Sequence, residues 1–169
     1  MKKLFLLIVF LIITLFVSGC KNKYDLKIID EEVIFKQDFL DNNSTYGAHK
    51  TIVKIDENGK EYFEFEEDLT SPESRTFIIR NKEESKKIFS IIPEIDFNKE
   101  TIILYMYTSV RKKDETIKNI KLDNGVLEIK FFLKRVPSDV IDGTQPYVSV
   151  LVVRTKNIDF DDATFQYIN

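Results

Sequence analysis

The chain has 169 residues, 43% of them hydrophobic and 31% charged, with five glycines and four prolines. That is the profile of one globular domain with a sizeable core, and it argues against long disordered stretches. The formal net charge is −3; without Lys2 and Lys3, 23 bases face 28 acids, net −5. This excludes nucleic acid as an expected partner, because phosphate binding needs a basic face. It also argues against attraction to anionic lipid headgroups.

Residues 1–19 read as a secretory signal: two lysines, then an apolar run over 4–17 interrupted only by Thr14. The run suits a signal core and is short for a bilayer span. It ends in Val17-Ser18-Gly19-Cys20, which resembles the lipobox of bacterial lipoproteins. That resemblance implies cleavage before Cys20 and a lipid on its thiol. The protein would then be held at the outer face of the cytoplasmic membrane or at an outer membrane. Acyl chains anchor by burial, each methylene adding about 0.8 kcal/mol, with no help needed from protein charge. Cys20 is the only cysteine, so no intramolecular disulfide can form. Residues 20–26 read as the lipidated cysteine and a tether, and 27–169 as a single domain.

Within that domain, 26–29 and 33–35 are short apolar runs. Residues 37–50 read as loop because of Asp41-Asn42-Asn43-Ser44 and Tyr46-Gly47. The β-branched stretch 51–55 and the alternating stretch 61–66 form a hairpin, with Asn58-Gly59 supplying positive φ in a tight turn. Phe63 and Phe65 share one face of it; Tyr62, Glu64 and Glu66 share the other. After a loop around Pro72, 76–80 is strand-like. Asn81 can cap a helix, with Glu84 at the capping-box spacing. Ser85, Ile88, Phe89 and Ile92 line one face of that helix, and Pro93 stops it.

The nearly unbroken apolar run 101–107 reads as a central strand buried on both faces. Residues 116–122 and 126–135 pair across Asp123-Asn124-Gly125, with Leu127, Ile129, Phe131 and Leu133 inward. The run 147–154 is a further buried strand, and 164–168 an edge strand. The expected architecture is α+β: a largely antiparallel sheet with one short helix packed against it.

No constellation for catalysis emerges. His49 is the only imidazole, it falls in the polar loop, and a solvated histidine is expected there. One histidine and one cysteine committed to lipid cannot fill a zinc site. Glu64, Glu66, Glu67 and Asp68 lack the spacing of a calcium loop and read as a solvated hairpin face. No cofactor is expected. Arg111-Lys112-Lys113, next to Tyr107, concentrates positive charge on an acidic domain, which makes these four residues the candidate partner contact.

From residue 77 onward, three segments occur in a familiar order. Phe77-Ile78-Ile79-Arg80-Asn81 precedes the helix. Ile92-Pro93-Glu94-Ile95-Asp96-Phe97 leads into the apolar strand. Thr144-Gln145-Pro146-Tyr147 opens the next one. Residues 77–154 thereby resemble the C-terminal domain of PrcB-like proteins. That family is often exported as lipoproteins and includes an accessory that stabilises a surface protease complex. The glycine stretch of the family is replaced here by Thr108-Ser109-Val110-Arg111-Lys112-Lys113. The resemblance implies a non-enzymatic accessory to another envelope protein, with no catalytic residues to assign. A small envelope enzyme or ligand-binding protein is the alternative.

Overall fold

The computed structural model describes residues 24–29, 31–110, 113–135 and 146–168. In chain order these form β1 (Lys27–Ile28), β2 (Ile34–Phe35), α1 (Gln37–Asn42), β3 (His49–Ile55), β4 (Glu61–Glu67), β5 (Ser74–Ile79) and α2 (Lys82–Ile88). Then come β6 (Phe89–Ile91), β7 (Glu100–Ser109), β8 (Lys113–Asp123), β9 (Val126–Arg135), β10 (Tyr147–Lys156) and β11 (Asp162–Tyr167).

A four-stranded antiparallel sheet, ordered β1-β10-β7-β5, forms the middle layer. The apolar runs of β7 and β10 explain its place there. Alternate side chains on a strand point to opposite faces, and both faces of these strands are apolar. Ile103, Leu151 and Val153 point to one side, where they meet Leu127, Ile129 and Phe131 of β9 and Ala163 of β11. Ile102, Leu104 and Val152 point to the other, where Ile79, Ile88 and Phe89 are buried with them. The central strand expected from 101–107 is thus buried on both faces.

The second sheet is ordered β11-β9-β8. β8 and β9 meet through Asn124-Gly125, whose φ values of 49° and 80° suit a two-residue hairpin loop. β11 runs parallel to β9, an addition to the expected antiparallel pattern. β8 is the outer strand, and its register shifts between Ile117 and Asn119. A bulge of that kind disfavours pairing with another chain's edge.

The third layer holds the short β2–β6 pair and both helices. α2 forms where its cap predicts: Asn81 Oδ1 accepts from the Glu84 amide at 2.9 Å, and Glu84 Oε2 accepts from the Arg80 amide at 2.9 Å. It ends at Ile88, well before Pro93, because Phe89 turns to extended backbone and enters β6. The expectation that Pro93 stops the helix is corrected: the pairing of β6 with β2 ends it first.

Residues 37–50 are not a loop throughout. Residues 37–42 form α1, since Phe39 finds an apolar seat against Phe35 and Phe77. Its last turn is held by side chains: Asn42 Nδ2 donates to the Asp38 carbonyl and Asn43 Nδ2 to the Phe39 carbonyl, both at 2.8 Å. The domain therefore has two short helices among the described residues. The fold is mostly antiparallel β-sheet, which fits an α+β or a mainly β class, with two helices where one was expected; a largely antiparallel sheet layer carries a helical layer on one face and a second sheet on the other.

Candidate functional site

Among the described residues, β3 and β4 pair only with each other. Their register joins His49 to Glu67, Thr51 to Phe65, Val53 to Phe63 and Ile55 to Glu61. Directly opposed residues of an antiparallel pair share a face, so these eight share one. Val53 is 55% exposed, Ile55 67%, Phe63 64% and Phe65 52%. Neither core includes any of them. The opposite face carries Lys50 with Glu66, Ile52 with Glu64 and Lys54 with Tyr62. Its charges are largely matched, since Lys54 binds Glu64 and Lys50 Nζ lies 3.0 Å from Asp68 Oδ2.

The turn between the strands differs from the expected one. Only Gly59 has positive φ, at 77°. Asp56 Oδ1 accepts from the Asn58 and Lys60 amides at 2.8 Å each, which fixes a longer, Asx-based loop.

The root of the hairpin is locked. The His49 amide donates to the Pro146 carbonyl at 2.8 Å, and the Asp68 amide to the Ala48 carbonyl at 3.0 Å. Thr108 Oγ1 donates to the Tyr46 carbonyl at 2.7 Å. A hydroxyl has one proton, so in the 2.7 Å contact between the Thr45 and Thr108 hydroxyls Thr45 is the donor. Arg75 Nε donates to the Ser44 carbonyl at 2.9 Å.

Asp68 is the keystone and is buried, 7% exposed. It does not belong to the solvated acidic face expected for it. Its carboxylate accepts from the Ser71 hydroxyl at 2.8 Å, the Ser71 amide at 2.9 Å and the Thr70 amide at 3.0 Å. The Ser71 hydroxyl first, then Lys50 and the Thr70 amide, hold this carboxyl well below the usual range. Glu64, Glu66 and Glu67 are exposed as expected.

Beside the root lies an open cleft of about 480 Å³, lined by Gln37, Asp41, Ser44, His49, Lys50 and Glu66 among others. His49 starts β3 and is half-buried, which corrects the solvated loop histidine. Its Nδ1 and the Ser44 Oγ are buried without a hydrogen-bond partner among the described residues. They do not bond to each other.

Of the expected contact residues, Tyr107 lies on β7 and is half-buried. Its hydroxyl donates to Glu115 Oε1 at 2.8 Å, and its ring stacks on Tyr105 at 5.5 Å. Burial, and then the Glu115 carboxylate, push the phenol above its ordinary value. Lys113 opens β8 opposite Arg135. Arg111 and Lys112 lie outside the described residues, as do Val17, Ser18, Gly19 and Cys20. The alternation that placed Phe63 and Phe65 on one face was visible in the sequence; that this face stays largely exposed among the described residues was not.

No family model, curated protein or solved structure matches the chain.

Proposed function

We propose that this chain is a membrane-anchored lipoprotein whose exported domain is a non-enzymatic binding or accessory module for another envelope protein, such as a surface protease. The anchor is the lipid on Cys20, read from Val17-Ser18-Gly19-Cys20. The reading rests chiefly on the β3–β4 hairpin. Taking about 200 Å² for a whole large side chain, its four exposed apolar residues present roughly 400 Å². Patches of that size on a monomer are commonly interaction sites. A standard interface takes about 800 Å² from each partner, so this face would be the apolar centre of one. The PrcB-like order of segments supports the same class of function.

The test is the size of the solubilised complex. Wild-type chain and the Phe63→Ser, Phe65→Ser double variant would be compared on native gels after mild detergent extraction. The wild type should migrate in a larger species that the variant does not form. Identical migration at the size of the lone chain would refute the reading.

A second reading is favoured by the cleft at the root. The unpartnered Ser44 Oγ and His49 Nδ1 could receive a small polar ligand. Loss of a ligand-induced thermal shift on Ser44→Ala, with the native-gel pattern unchanged, would move the site there.

A further inference from the structure

We infer that the hairpin face receives an apolar segment of a partner protein bordered on both sides by lysine or arginine. This rests on the binding-module reading and specifies its partner.

Residues 49–68 contain three lysines and seven acids, a net of −4, against −3 for the whole chain. Two of the lysines are bound within the hairpin region, to Glu64 and Asp68. Glu57, Glu61, Glu66 and Glu67 have no cationic partner among the described residues. On the apolar face itself, Glu61 and Glu67 stand at opposite ends, with Val53, Ile55, Phe63 and Phe65 between them. Burying that centre brings the acids to the rim. A rim of one sign favours a partner rim of the other and rejects its own kind.

Two other occupants fit less well. A second copy of this face would bring two such acidic rims together. An anionic bilayer would be repelled by the same acids, however well the phenylalanines suit its interior.

Tyr24 and the hairpin root meet opposite ends of β10: Thr155 Oγ1 donates to the Tyr24 carbonyl at 2.9 Å, and the His49 amide donates to the Pro146 carbonyl at 2.8 Å.

The experiment places a photo-crosslinking residue at Val53 of the full lipidated chain, in its own isolated membranes, with Tyr62 on the other hairpin face as control. Val53 should give a protein adduct about tenfold more abundant than Tyr62. Its mapped contact segment should be apolar with lysine or arginine on both sides. Glu61→Lys with Glu67→Lys should reduce the adduct about tenfold at low salt. A contact segment without flanking bases, or an unchanged yield in the charge-reversed chain, overturns this inference and leaves the hairpin as an interface. An adduct to phospholipid or to a second copy overturns it in favour of that occupant. No adduct from Val53 overturns the binding-module reading as well.

Discussion

Two phenylalanines in strands of this chain should lose very different amounts of stability to the same truncation. Phe131 is 2% exposed. Its ring meets Tyr105 at 5.6 Å, Phe165 at 6.2 Å and Tyr167 at 6.2 Å, each edge-on. Returning such a side chain to water costs about 1.5–3 kcal/mol. The hole left between the two sheets adds to this, so Phe131→Ala should cost about 3–5 kcal/mol. Phe63 is 64% exposed and faces only Val53 across the ladder. Phe63→Ala should cost less than about 1 kcal/mol, the worth of one cross-strand pair. Urea unfolding followed by circular dichroism separates the two. With a slope of about 2 kcal/mol/M, the Phe131 variant should lose about 2 M in midpoint and the Phe63 variant less than about 0.5 M. Equal losses would mean that the hairpin face is packed against the domain, and the argument for an interface would fall.

Other consequences follow from single contacts. The native Asp68 carboxyl is held below its ordinary value of 3.8, so its stabilising effect is complete above that pH and is lost as pH falls below it. Asp68→Asn should therefore lower the melting temperature at pH 7 and flatten its decline on acidification; an unaltered acid limb would contradict the assignment. Gly125 has φ of 80°, and a Cβ there would lie 2.6 Å from Asp161 Oδ2, whereas Gly59, at 77°, has open space around it. Both Gly→Ala changes should cost about 1 kcal/mol from backbone strain, and thermal melts should show the larger loss at Gly125. Arg154 grips Glu100 through two bonds of 2.7 Å; Glu100→Gln should cost about 1 kcal/mol by urea titration, a figure reduced by partial exposure. Cys20→Ser should abolish fatty-acid labelling, and equal labelling of mutant and wild type would remove the lipid anchor.

Much of the fold was legible because local chemistry and burial agree. Asn124-Gly125 demanded a tight turn, and the alternation of Leu127, Ile129 and Phe131 survived as the inward face of β9. The double-sided burial of β7 was written in its unbroken apolar run. What was not legible depended on contacts distant in sequence. α1 hides among Asp and Asn residues that normally signal loop, and only Phe35 and Phe77 give Phe39 a reason to be helical. Asp68 reads as one more acid after Glu64, Glu66 and Glu67 until Ser71 and Lys50 close around it. The hairpin face is the clearest case. Alternation reports which residues share a face, not whether another layer covers it, so Phe63 and Phe131 look alike in sequence. The basic turn drew attention because charge clusters are visible in sequence, whereas an uncovered apolar face is not.

The most direct test is hydroxyl-radical footprinting of Phe63 and Phe65 in two settings: the chain in its native membranes, and the chain purified in detergent. Both rings should be oxidised readily when purified and several-fold less in membranes, with Phe131 protected in both. Equal oxidation of Phe63 and Phe65 in the two settings would show that nothing covers the hairpin where the protein works, and would contradict its role as a docking face.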